Sequence, residues 1–183
     1  MHSMVEHIDD GVKIHLTNSQ VQWCREHAMR TTAYHNQNGI GEYGHNKVMG
    51  AIVGARCEVA VETFLIRLYQ SMNTNFKDNI SKEDITLKGK SIEVKGLRGE
   101  DWDKLKRMIP PKQLKKYVEN DVVIVWATTE PRNTVIIRGW NYPNELEEHG
   151  IPITTICDNI WLKDDELMRE IKTLGDEING PSA

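Results

Sequence analysis

Asp84-Ile85-Thr86-Leu87-Lys88-Gly89-Lys90-Ser91-Ile92-Glu93-Val94-Lys95 is the stretch on which the reading of this chain turns. Ile85, Leu87, Ile92 and Val94 alternate with polar residues, and Lys88-Gly89 supplies a two-residue turn, so the segment reads as a β-hairpin. With those two residues as the loop, Leu87 pairs with Lys90, Thr86 with Ser91, Ile85 with Ile92, and Asp84 with Glu93. Paired residues share a face and successive residues alternate faces. Asp84, Glu93 and Lys95 are therefore expected to project together, with Ile85, Ile92 and Val94 directed into a core. Two facing acids repel each other in a plain sheet. A hard divalent cation such as Mg²⁺ turns that pairing into a ligand set.

Asp84 followed by Glu93-Val94-Lys95 resembles the active-site signature of the PD-(D/E)xK nuclease superfamily, whose fold is restriction-endonuclease-like. Glu83 stands where the signature carries its proline. The resemblance implies an α/β fold with a central mixed β-sheet flanked by helices, and a Mg²⁺- or Mn²⁺-dependent nuclease acting on DNA phosphodiesters, an endonuclease by preference. It further implies that Asp84, Glu93 and the main-chain carbonyl of Val94 hold the metal, with Lys95 as the catalytic cation. A retained nuclease-like module that binds DNA or protein without catalysis is the alternative.

Before the hairpin, Val12–Leu16 alternates in the manner of a short strand, and Thr17 with Gln20 has capping-box spacing at the head of a helix running to about His35. A second, longer helix is expected from Asn46 to about Met72, with an apolar stripe through Val48, Ile52, Val59 and Phe64 and small residues Gly50, Ala51, Gly54 and Ala55 suited to close helix–sheet packing. In many members of the superfamily, the corresponding helix sends a Glu toward the metal after a Gly/Ala-rich turn. Glu58, following Gly54-Ala55, matches that residue as a catalytic and metal-binding group; Glu62, one turn on, is its rival.

After the hairpin, Gly96-Leu97-Arg98-Gly99 reads as a turn, and Glu100–Asn120 as one or two helices broken at Pro110-Pro111. Lys104, Lys106, Arg107, Lys112, Lys115 and Lys116 crowd this stretch, either as a phosphate-contacting DNA patch or as a solvated helical face. Gln113 is an accessory candidate, because some superfamily members place a Gln or Lys there against the site. Val122–Ala127 is an uninterrupted apolar run, as a strand buried on both faces requires. Thr134–Trp140 is its expected partner. A short helix over Asn144–His149, an edge strand over Ile153–Ile156 and a terminal helix over Lys163–Leu174 complete the chain.

The division expected is one nuclease-like domain over residues 1–183, with a helical part at about 17–72, the catalytic hairpin at 84–95, and strands and helices at 121–175. Charged residues make up 27% and hydrophobic ones 39% of the 183, an ordinary globular balance, and the net charge of −4 argues against indiscriminate coating of nucleic acid. No apolar run reaches ~18 residues, so no membrane span is expected. The N-terminal residues lack a basic region followed by an apolar one, so no secretory signal is expected. Cys24, Cys57 and Cys157 are scattered without a Cys-x-x-Cys, which points to reduced thiols and a cytoplasmic setting. A homodimer is the assembly that double-strand cutting calls for. His-Asn-His, zinc and phosphate-loop motifs do not fit, and Trp126, Trp140 and Trp161 read as core.

Overall fold

Lys88 and Gly89 adopt φ of 50° and 82°. Positive φ at both central residues is the mark of the tight hairpin turn whose twist matches that of its strands. Around it β3 (Ile85–Leu87) and β4 (Lys90–Arg98) pair in the expected register, Ile85 to Ile92, Thr86 to Ser91 and Leu87 to Lys90. Ile85, Ile92 and Val94 are buried in a common core. The computed structural model describes residues 4–9, 11–37, 47–69, 85–104, 107–154, 157–162 and 167–179. Asp84 lies outside the described residues, as do Lys106, the glycine-rich loop after the first helix and the end expected for the second.

Two strands precede the helices: β1 (Met4–Ile8), for which the sequence gives no clear pattern, and β2 (Gly11–His15), close to the strand expected at Val12–Leu16. Val123–Glu130 and Thr134–Asn141 form β6 and β7, the first of them buried through Thr128. The sheet runs β1-β2-β7-β6-β4-β3. Among the described strands of this sheet only β4 and β6 pair in parallel, Glu93 opposite Ile124 and Lys95 opposite Trp126, so the sheet is mixed and the fold is α/β.

On one face lie α1 (Asn18–Gln37) and α2 (Lys47–Tyr69). The capping box holds: Thr17 N–H donates to Gln20 Oε1 at 2.8 Å and Gln20 N–H donates to Thr17 Oγ1 at 3.2 Å. Gln20 Nε2 then reaches Thr63 Oγ1 of α2 at 3.2 Å. Val59, Ala60, Phe64 and Leu65 of α2 pack with Ile92, Val94, Val123, Val125 and Ala127. On the other face α3 (Pro111–Glu119), α4 (Pro143–His149) and a small sheet of β5 (Met108–Ile109), β8 (Ile151–Thr154) and β9 (Asp158–Trp161) are assembled. Their core gathers Trp102, Ile109, Leu114, Tyr117, Leu146 and Leu162 over Ile124 and Trp126. The edge strand expected at Ile153–Ile156 overlaps β8, an edge of this smaller sheet, at Ile153–Thr154; Thr155 and Ile156 lie outside the described residues.

Three expectations are corrected. Gly96–Gly99 is not a turn: β4 continues to Arg98 and a 3-10 turn follows at Gly99–Asp101. Gly96 is there because α2 presses on it. A Cβ at that position would lie 3.0 Å from Cys57 Sγ and 3.3 Å from Gly54 Cα. Glycine inside a strand marks such close approach as readily as it marks a turn. Second, Pro110-Pro111 starts a helix and does not interrupt one. Proline suits the first helical position and pushes the residue before it into extended backbone. Met108–Ile109 is accordingly β5, and α3 is the only α-helix described between Glu100 and Asn120.

Third, the terminal helix begins at Leu174, as α5 (Leu174–Asn179). Residues 163–166 lie outside the described set, and Arg169 is extended, exchanging main-chain bonds of 2.9 and 3.0 Å with Trp140. Among the described residues no helix is long and apolar enough to cross a membrane.

Candidate active site

Strand β4 carries the site. Glu93 and Lys95 alternate with Ile92 and Val94, so they point away from α2 and toward α3. Lys95 Nζ donates to Glu93 Oε1 at 2.7 Å, and the Glu93 side chain is nearly enclosed at 11% exposure. Tyr117, reaching across from α3, donates its hydroxyl to the same Oε1 at 2.6 Å. The Lys95 ammonium also lies over the Tyr117 ring, 5.3 Å from its centroid. Charge-assisted bonds of this kind are shorter and stronger than neutral ones.

Glu58 approaches from the other side of the sheet. Gly54 and Gly96 let α2 settle onto β4, and Glu58 stands one turn after Gly54, with Oε1 3.7 Å from where a Gly54 Cβ would lie. Burial pushes its carboxyl up to about 7; the negative charge of Glu93 adds to that, the Lys95 ammonium opposes it, and Glu62 adds a smaller share. A carboxylate titrating there marks a site where negative charge is crowded and poorly hydrated. Glu62 is itself buried, at 7% exposure. Val94 keeps its place between Glu93 and Lys95, its side chain in the α2-side core.

No family model, no curated protein and no solved structure matches this chain. The chemistry of the side chains therefore has to carry the assignment. Glu58, Glu62 and Glu93 are oxygen donors, the kind a hard cation of the Mg²⁺ class takes, and in that respect the residues fit the group. Among the described residues no set of three or more His, Cys, Asp or Glu is gathered closely enough to hold an ion. Asp84, expected to be the fourth acid, is not among them.

The basic stretch divides. Lys112, Lys115 and Lys116 belong to α3 and all three are exposed, Lys115 lying 3.9 Å from Glu119. Lys104 is exposed and lies 3.6 Å from Asp101. Arg107 does not belong to this surface: it is 5% exposed, with its guanidinium 4.7 Å from the Trp102 ring centroid. The indole engages its charge, so the patch expected for DNA has one member fewer. Gln113 is half-buried, and its side chain makes no hydrogen bond among the described residues. The group that α3 sends to Glu93 is Tyr117, one turn further along. Gln113 and Tyr117 share a helical face by their spacing of four, and that spacing is the available signal for Tyr117.

Proposed function

We propose that this chain is a metal-dependent nuclease hydrolysing DNA phosphodiester bonds, an endonuclease of the restriction-endonuclease-like kind. The observation that carries the reading is the nearly enclosed Glu93–Lys95 pair on β4, joined at 2.7 Å, with a Glu58 carboxyl on α2 that burial and the charge of Glu93 push up to about 7. Holding acids in poorly hydrated surroundings costs stability unless something positive is to be bound. Asp84, Glu93, the Val94 carbonyl and Glu58 would hold Mg²⁺ or Mn²⁺, with Glu62 in reserve. Bound there, such an ion polarises a phosphate oxygen and lowers the pKa of a coordinated water. Lys95 orients the attacking water and offsets charge that builds on the phosphate oxygens. The lysines of α3 meet the DNA backbone, and a second copy of the chain would allow both strands to be cut. The reduced cysteines, Cys24, Cys57 and Cys157, suit a cytoplasmic setting.

A nicking assay on supercoiled plasmid with Mg²⁺ or Mn²⁺, with and without EDTA, tests the reading. Cleavage that EDTA and Glu93→Gln both abolish supports it. One observation favours the alternative of a silent nuclease-like module that binds DNA or protein: Lys95 is already neutralised by Glu93, at 2.7 Å. That reading expects no nicking under any metal, with DNA retardation unaffected by EDTA.

A further inference from the structure

We propose that Tyr117 is a positioning residue of this site: its phenol fixes Glu93 through Oε1 and so leaves Oε2 as the oxygen offered to a hard cation. The inference rests on the nuclease reading above. Tyr117 is 6% exposed and belongs to the apolar cluster of Trp102, Leu114, Ile124 and Trp126. Packing alone would be served as well by phenylalanine, whose ring has nearly the same volume and no hydroxyl to satisfy. The hydroxyl is instead aimed at a buried carboxylate, 2.6 Å from Oε1. Lys95 donates to that same atom at 2.7 Å, and the described residues direct no donor at Oε2. Two donors on one oxygen lock the carboxylate's rotation and polarise it. Ligating side chains are commonly held in this way by partners that do not touch the ion.

Tyr117 therefore has one measurable job. It holds Glu93 in one orientation, with Oε1 occupied and Oε2 turned out. Removing the hydroxyl should loosen the ligand and weaken its hold on a cation.

The test is calorimetric titration of the full chain with Mn²⁺ alone, at one pH, for wild type, Tyr117→Phe and Leu114→Ala. Leu114 lies on the same helix and in the same cluster but makes no polar contact with the site. Tyr117→Phe should keep its melting temperature within a few degrees and bind Mn²⁺ about 10-fold or more weakly. Leu114→Ala should melt earlier and bind Mn²⁺ with unaltered affinity. Wild-type affinity in Tyr117→Phe would overturn the proposal. So would an equal weakening in Leu114→Ala, or a Tyr117→Phe chain that no longer folds, since either makes the residue one of packing. A wild type that takes up no Mn²⁺ would remove the nuclease reading and this inference with it, an outcome distinct from the other three.

Discussion

Glu58 shows how much a single side chain can report about its surroundings. Its carboxyl is pushed from the ordinary 4.5 up to about 7, chiefly by burial and then by Glu93. The folded state thus binds a proton more tightly than the unfolded chain does. Stability is full below about 4.5 and falls as pH rises to about 7, after which this group adds no further change. Thermal melts of metal-free wild type and Glu58→Gln across that range should differ in slope, the variant being flatter. A pair of parallel curves would mean that Glu58 is not crowded as described. In single-turnover cleavage Glu58→Gln should cost far more than Glu62→Gln, because burial, Glu93 and Lys95 all act on the Glu58 carboxyl. The reverse ranking would move the role one turn along α2. Asp84→Ala, Glu93→Ala and Lys95→Ala should each abolish nicking while leaving circular dichroism unchanged; nicking by any of the three removes that residue from the mechanism.

At the scale of elements, the packing of α2 on β4 decides whether the site forms. Gly96→Ala would set a methyl 3.0 Å from Cys57 Sγ, with 3.3 Å to the Gly54 backbone behind it. Such overpacking typically costs about 1–3 kcal/mol. Cys57→Ala in the same chain should return part of that cost by removing the sulfur, and a double-mutant cycle would measure the coupling. Purely additive effects would show that α2 and β4 are not pressed together at this point. On α3, replacing Lys112, Lys115 and Lys116 with Gln should reduce the salt dependence of DNA binding by roughly 0.9 in slope for each phosphate no longer neutralised. An unchanged slope would leave those lysines merely solvated.

These elements also show what can be read from a sequence and what cannot. The register of the β3–β4 hairpin is legible because a period of two and a glycine turn agree within a few consecutive residues. Gly96 reads as punctuation, since nothing local tells a turn glycine from one beneath a helix. Arg107 reads as surface charge because its indole partner Trp102 is five positions away on irregular backbone. Tyr117 and Glu93 are 24 positions apart, and only the crossover through α3 makes them neighbours.

For the molecule as a whole, the mixed sheet with a different helical layer on each face gives the site two walls. Glu93 and Lys95 answer to α3, and Glu58 arrives with α2. If, as proposed, a cation binds between them, it stabilises only the assembled form. Thermal melting should therefore rise with Mg²⁺ or Mn²⁺, by about 2.7 kcal/mol at ~100 times the dissociation constant. Glu93→Gln should forfeit most of that gain. Equal gains in the two chains would place the binding elsewhere.

The parallel pairing of β4 with β6 also sets an order in time. Ile92 lies opposite Val123, and the intervening chain must fold across the sheet before these strands can meet. The two hairpins, β3–β4 and β6–β7, are local and form within microseconds, whereas closing a long crossover is slower. During synthesis at ~5–20 residues per second, β4 therefore waits for seconds with its inner edge unpaired. In that interval α3 lacks Ile124 and Trp126 of β6, over which its apolar cluster packs. A nascent chain halted before β6 would carry the hairpin and α3 without the strand that seats them together. Pulse-labelled hydrogen exchange should find β6–β7 amides protected ahead of those joining β4 to β6. On this plan the Glu93–Lys95 pair and the helix that sends Tyr117 to it come to rest together only when the sheet has closed.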